Sequence, residues 1–444
     1  ITFSTGTRSY ASGLRPAGEA GEAKRWVEGL SAAGSTDINR ALLEAVAQVD
    51  RERPTILIFL TDGLPTEGVT EAELILENLQ EAAPSNLSLF GFGVGFDVDT
   101  FLLDSLAKEH HGAATYVSPG QPLDEAVSSF YEKVSTPVLT NLEIDFGDVV
   151  VYDLYPDPLP DLFAGGQLVL VGRYRQAGDV TIRLTGDVNG EVQTFRYDDQ
   201  SFRSSGGPEF LPRLWATRKI GALLNQIRLQ GPDQELVDQI VRLSIRYGIV
   251  TPYTSYLVTE PQALGAAAQE EMALRAFSAL ASTPLAVSGE AAVQRAADEG
   301  DIMRADVPVL PNVDLVKVVG SRTFTLVDGV WIDTAFDPDR DGTVKVPFLS
   351  EDYFALANAR SELAGALALG PRVIVFADGV VYEIVGTDVQ GDALEVPDPI
   401  EEGGPSGQIG PVAEPEQPAP ATCLSPILGL AFLSLPLIRR RPRS

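Results

Sequence analysis

Thr55-Ile56-Leu57-Ile58-Phe59-Leu60-Thr61-Asp62-Gly63 is an apolar, β-branched run that stops abruptly on Thr-Asp-Gly. A run of this kind, bounded by a turn pair, reads as a strand buried in a sheet. It ends by placing Asp62 at the carboxyl edge of that sheet, where open α/β folds bind ligands. Upstream lies Gly34-Ser35-Thr36-Asp37-Ile38-Asn39, with Thr36 26 residues before Asp62. A hydroxyl offered from a neighbouring loop of the same edge is a hard oxygen donor suited to Mg²⁺ or Ca²⁺. Thr36 and Asp62 are therefore the leading metal-ligand candidates.

Outward from this strand, residues 1–136 alternate β and α patterns. Residues 1–4 read as a strand and residues 20–30 as a short helix with Trp26, Val27 and Leu30 on one face. Thr36 or Asp37 can cap a helix over 38–49, in which Ile38, Leu42, Leu43 and Val46 keep a 3.6-residue period. Further helices are predicted over 71–81, 99–109 and 123–134, with strands over 55–60, 87–94 and 115–117. This alternation predicts an α/β, Rossmann-like domain with a mostly parallel sheet covered on both faces.

The period then changes to two, and residues 137–207 read as an antiparallel β module. Residues 208–260 return to helical spacing and close on a β segment over 249–258. An Ala- and Glu-rich linker, helical or partly disordered, is expected over 261–306, followed by a separate small β-rich domain over 307–396. Residues 397–421 are rich in Pro, Gly and Glu and too poor in apolar groups to fold. Residues 424–438 are an apolar stretch ahead of Arg439-Arg440-Arg441-Pro442-Arg443. About 20 apolar residues span a bilayer, so this short run, interrupted by Pro426 and Pro436, reads as an anchor or sorting segment over 422–444 with its arginines inside. That gives a membrane contact unless the segment is cleaved.

A formal net charge of −29 and a pI near 4.4 repel polyphosphate, which argues against a nucleic-acid partner. Cys423 is the single cysteine, so no intrachain disulfide can form. Two adjacent histidines, His110 and His111, and one tail cysteine offer no nucleophile–base arrangement, so no catalytic site is expected.

The two edge loops resemble the second and third metal-coordinating segments of a von Willebrand factor A (VWA) domain. Gly91-Phe92-Gly93-Val94-Gly95-Phe96-Asp97-Val98, Pro212-Arg213-Leu214-Trp215-Ala216 and Tyr247-Gly248-Ile249-Val250-Thr251-Pro252-Tyr253-Thr254-Ser255 occur in the order found in inter-alpha-trypsin inhibitor heavy chains. The resemblance covers about residues 1–258, and the Arg-ended tail looks like bacterial members of that family. It implies an extracellular or cell-surface binding protein without catalytic activity. It implies further that Thr36 and Asp62 surround a Mg²⁺ (or Ca²⁺ or Mn²⁺) ion whose open position accepts an acidic group of a protein or glycan partner. In that family a D-x-S-x-S metal loop and a VIT domain stand upstream. Residues 1–4 correspond to the second VWA strand, so the sheet is expected to lack its first strand and the ion site to be incomplete. Heavy chains coupled to glycosaminoglycan use a D-P-H-type motif, of which Asp337-Pro338-Asp339 is only an echo. A different reading of the whole is a metal-independent scaffold of the cell envelope.

Weaker candidates have plain structural readings beside them. Asp337, Asp339 and Asp341, ahead of Gly342, match the start of an EF-hand-like loop, but Phe348 stands where the bidentate glutamate belongs, so a polar turn competes with a weak Ca²⁺ site. Ser35 and Asp37 read as a loop polar group and a helix cap, and Gly34 and Gly63 as backbone-geometry residues. His110 and His111 sit where a helix ends and its dipole favours them. The glycines of 91–95 lack the dinucleotide spacing and belong to a strand.

Overall fold

The computed structural model describes residues 1–134, 137–188, 191–204, 206–254, 266–282, 285–307, 315–338, 341–387 and 389. The 397–421 and 422–444 segments, with Cys423, lie outside the described residues.

The first module contains β1 (Thr2–Phe3), β2 (Thr7–Arg8), α1 (Ala20–Glu28), α2 (Ile38–Val46), β3 (Thr55–Thr61), α3 (Ala72–Ala82), β4 (Leu87–Val94), α4 (Thr100–Glu109), β5 (Ala114–Val117) and α5 (Leu123–Val134). Strands β3, β4 and β5 form a parallel sheet in that order, with Thr55 opposite Leu87 and Thr61 opposite Gly93. One face is filled by Ile38, Leu42, Ile75, Leu79, Leu102, Leu103 and Leu106 from α2, α3 and α4, each worth about 1.5–3 kcal/mol on full burial. On the other face Phe90 and Phe92 of β4 meet Phe130 of α5, with ring centroids 4.9 and 5.0 Å apart. The glycines between those phenylalanines have a packing reason. A Cβ on Gly91 would stand 3.3 Å from Leu103 Cδ2, and one on Gly93 2.9 Å from Tyr116 Cδ1 and 3.0 Å from Val98 Cγ2. Helix α4 thus lies directly on the backbone of β4.

Two expectations for this module are corrected. Residues Thr2–Phe3 pair antiparallel with Thr7–Arg8 and not with the parallel sheet, because the chain reverses at once, with Ser4 N donating to Gly6 O at 2.8 Å. Phe3 still reaches the sheet face and stacks on Phe59 at 5.4 Å. On α1 the expected apolar face is largely open. Trp26 packs on Tyr10 at 5.7 Å, but Val27 is 55% exposed.

The second module comprises β6 (Pro137–Asp145), β7 (Val151–Tyr155), β8 (Leu162–Phe163), β9 (Val171–Tyr174), β10 (Gly178–Val188) and β11 (Glu191–Phe202). It forms one antiparallel sheet in the order β11-β10-β6-β8 and a separate antiparallel pair, β7-β9. Leu139, Leu142, Leu162, Leu168, Leu170 and Leu184 make its core. A buried polar contact joins it to the first module: Ser88 Oγ on β4 donates to Asp161 Oδ2 at 2.5 Å, and Asn141 N donates to Asp161 Oδ1 at 3.1 Å. Burial raises the Asp161 carboxyl, opposed by these two bonds.

Helices α6 (Leu211–Gln230) and α7 (Gln234–Tyr247) follow. Asp233 caps α7 through the N–H groups of Glu235 and Leu236, and Gly248 ends it in the left-handed conformation. Of the strand expected over 249–258, residues 249–254 form a turn instead, and residues 255–258 lie outside the described residues. Pro252 lacks a ladder donor, and the Thr254 hydroxyl takes the N–H of Thr251 at 3.0 Å. Within the Ala- and Glu-rich stretch stand α8 (Ala266–Ser282) and α9 (Glu290–Met303). Helix α9 is an integral packing element. Ala292, Val293 and Ala296 are buried, and Val293 enters the core of the parallel-sheet module. A Cβ on Gly221 of α6 would fall 2.6 Å from Met303 N, so α6 and α9 touch backbone to backbone.

The last module holds β12 (Val316–Val319), β13 (Arg322–Val327), β14 (Val330–Asp333), β15 (Thr343–Pro347), α10 (Glu351–Ala359), α11 (Ala364–Leu367), β16 (Val373–Ala377) and β17 (Val380–Val385). Its mixed sheet runs β12-β13-β14-β16-β17-β15 around Phe324, Tyr353, Leu356, Val373 and Val375. Thr334 Oγ1 donates to Arg246 O of α7 at 2.8 Å. Among the described residues no helix is long and apolar enough to cross a membrane.

Candidate functional site

Three loops meet at the carboxyl end of β3. The buried Thr61 hydroxyl donates to Gly63 O at 3.0 Å, which folds the Asp62–Gly63 turn back on the strand and leaves Asp62 exposed. The 34–37 loop is tied to the loop after β3 by three bonds: Thr36 N donates to Thr66 Oγ1 at 2.9 Å, and Thr36 O accepts from Thr66 N at 2.9 Å and Glu67 N at 3.2 Å. It is tied to the N-terminal loop by Ser35 N to Thr5 Oγ1 and Asp37 N to Ser4 O, both 2.9 Å.

These bonds use the backbone of Thr36 and leave its side chain to face the turn. A Cβ on Gly63 would stand 3.7 Å from Thr36 Oγ1. Thr36 and the Asp62–Gly63 turn, distant in sequence, are therefore adjacent in space. Half-buried Ser35 lies at the same edge. Asp37 is committed elsewhere: its Oδ1 accepts from Arg40 N at 3.0 Å as the cap of α2. A Cβ on Gly68, which has φ +66°, would stand 2.8 Å from both Asp37 oxygens. Gly34 adopts φ +89°, with Thr5 Oγ1 2.7 Å from where its Cβ would be. Both glycines let loops close around the edge.

Among the described residues no three His, Cys, Asp or Glu side chains gather to hold a metal ion. The donors at this edge are of another kind, hydroxyls of Thr36 and its neighbours with one exposed carboxylate. Hard oxygen donors beside an open turn fit Mg²⁺, which keeps several waters and uses few protein ligands.

The other candidates are scattered. Asp337 and Asp341 close a small ring, Asp337 N donating to Asp341 Oδ2 at 3.0 Å and Asp341 N to Asp337 O at 2.9 Å. Asp339 lies outside the described residues. Phe348 packs against Tyr353 at 5.3 Å. His110 ends α4, buried and with Nε2 lacking a hydrogen-bond partner among the described residues; burial, then neighbouring His111, lowers its pKa.

Sequence reasoning missed a buried ionic group behind the sheet. Arg228 of α6 places Nη2 2.5 Å from Asp104 Oδ2 of α4 and Nε 2.7 Å from Glu299 Oε2 of α9. The Asp104 contact is an ion pair by proximity rather than an aligned hydrogen bond. Burial raises both carboxyls against the pull of the arginine. No local spacing announces such a group, since its members come from three helices far apart in the chain.

Residues 3–116 match the von Willebrand factor type A domain family. The human inter-alpha-trypsin inhibitor heavy chain H4 is 32% identical over 287 residues, 59% of this chain and 30% of that protein. Human heavy chain H2 is 30% identical over 282 residues, 58% of this chain and 30% of that protein. The chain thus spans about 30% of the length of these curated relatives. A solved von Willebrand factor type A protein from Catenulispora acidiphila aligns over 61% of this chain and 75% of that one, with 13% identity and a TM-score of 0.37, too loose a likeness for site-by-site comparison. Residues 3–116 thus carry the match to a von Willebrand factor type A domain, and 59% of the chain is similar to inter-alpha-trypsin inhibitor heavy chain H4.

Proposed function

We propose that the chain is an extracellular or cell-surface adhesion protein that engages an acidic group of a protein or glycan through an ion at the Thr36–Asp62 edge. The VWA domain supports an interaction role. The observation that carries the finer reading is the approach of Thr36 Oγ1 to the Asp62–Gly63 turn. In this reading Thr36 and Asp62 hold Mg²⁺, with Ca²⁺ or Mn²⁺ as substitutes. The bound ion supplies a positive centre with an exchangeable position for a partner carboxylate. Thr36 presents its hydroxyl, held by the backbone bonds to Thr66 and Glu67. Asp62 contributes charge at an exposed point, and Asp37 stays on the helix as a cap. The work is binding, without a catalytic step. The 422–444 segment anchors the chain at the membrane or is removed by processing.

Isothermal titration of the full chain with Mn²⁺ tests the ion. Saturable binding that disappears in Asp62→Ala and weakens in Thr36→Ala is expected; identical isotherms for the wild type and Asp62→Ala would sink the proposal. A second reading, a metal-independent envelope scaffold, draws on the buried Arg228 group and on α9, which lock modules together. Partner capture that survives EDTA unchanged would favour the scaffold.

A further inference from the structure

Where the β7–β9 pair meets α6, cations alternate with aromatic rings. Lys219 Nζ lies 5.4 Å from the Trp215 ring centroid, and Arg173 Cζ lies 5.2 Å from the same ring. Arg173 Cζ is also 5.5 Å from the Tyr152 ring, and Arg175 Cζ is 5.6 Å from it. The order is thus Lys219, Trp215, Arg173, Tyr152, Arg175. Trp215 is fixed from beneath, its indole N–H donating to Asp153 O at 3.0 Å. Lys219 is neutralised by Asp153 Oδ2 at 2.8 Å.

Arg173 and Arg175 differ from Lys219. Both are exposed, and among the described residues neither has a carboxylate in ion-pairing distance or a side-chain hydrogen bond. Their planes are steadied by the rings, while their N–H groups remain available for bidentate carboxylate recognition. Arg173 stands directly opposite Tyr152, and Arg175, the residue after β9, is held beside β7 by its N–H donating to Val150 O at 3.2 Å. Positions two apart on a strand share a face and are spaced by about 6.6 Å. The β7–β9 pair has no third strand among the described residues.

We propose that this face docks an extended acidic peptide of a partner protein, with carboxylates two residues apart meeting Arg173 and Arg175. The proposal concerns a surface separate from the Thr36–Asp62 edge and needs no ion. Charge decides between a short acidic segment and a polyanion. The molecule carries a net −29, so a long sulfated chain meets a repelling surface beyond these two guanidinium groups. A short segment with two carboxylates amid neutral residues needs only these two guanidinium groups, and charges beyond about 8–10 Å are screened.

The test is fluorescence anisotropy of the full chain in EDTA with a labelled peptide of about nine residues centred on Glu-Thr-Glu. A Gln-Thr-Gln peptide is the control, and dextran sulfate is the polyanion competitor. The Glu peptide is expected to bind about tenfold tighter than the Gln peptide, and Arg175→Gln to weaken it about fivefold. Arg173→Gln acts in the same direction but also uncovers Trp215, whereas Arg175 is exposed and its ring contact is with Tyr152; an unchanged melting temperature of Arg175→Gln checks that the fold is kept. Equal affinity for the two peptides, no loss in Arg175→Gln, or dextran sulfate binding tighter than the peptide with the same arginine dependence would overturn the proposal.

Discussion

Asp37 and Gly68 show how closely the edge is specified at single positions. Asp37 caps α2 from a buried place, with Gly68 against both carboxylate oxygens. Asp37→Ala is expected to cost about 1 kcal/mol, the worth of a cap, seen as a lower urea midpoint with an unchanged slope. Gly68→Ala brings a left-handed strain and a Cβ inside contact distance of that carboxylate. It should destabilise by about 1–3 kcal/mol and also weaken Mn²⁺ binding by shifting the 34–37 loop; normal ion affinity in a destabilised Gly68→Ala protein would separate the cap from the site. The residues of the edge were only partly legible. Asp62 stands out because it ends so apolar a run at a sheet edge, and Thr36 because its loop, like the Asp62 loop, resembles a metal-coordinating segment of VWA domains. The Thr66 hydroxyl and the Gly68 backbone were not, because a loop polar group and a turn glycine look alike wherever they occur.

Among elements, β3 and β4 could be read from sequence since their apolar runs are long and bounded by turn residues. Helix α9 could not be read as core. Its buried stripe is Ala292, Val293 and Ala296, small side chains that contribute little to a hydrophobic pattern, and its contact with α6 depends on an absent side chain at Gly221. The same helix provides Glu299 to the Arg228 group. Removing that arginine leaves two buried carboxylates without the cation that contacts them both, with only the more distant pull of Arg304 on Asp104 and of Arg295 on Glu299. Arg228→Ala should therefore cost about 3–5 kcal/mol, measured by chemical denaturation. A loss under about 1 kcal/mol, the range of exposed pairs, would mean that water reaches the group.

For the whole molecule, acidity and burial act together. Asp99, Asp104, Asp161, Glu299 and Asp333 are all raised by burial. A carboxyl with a raised folded pKa takes up its proton in the folded chain first, so its contribution to stability falls as pH rises from the ordinary carboxylate range through the raised value. Relief of the net −29 self-repulsion works in the same direction. Asp50, Asp145 and Asp198 are lowered by hydrogen bonds and arginine neighbours, and they lose their contribution only at lower pH. The melting temperature is therefore expected to be higher at about pH 5 than at about pH 7, and to fall below about pH 4. Differential scanning calorimetry across that range checks it; a steady decline from neutral pH downward would contradict the assignment.

The backbone contact between Gly221 and Met303 also has a mechanical side. Tension entering the chain just after Met303 is carried along α9, whose Val293 is lodged beside the parallel sheet and whose flank lies against α6. The load runs lengthwise through a packed helix, so its side chains must give way together rather than peel off one by one. In the adhesion role proposed above, α9 is the stretch of chain that would bear the pull.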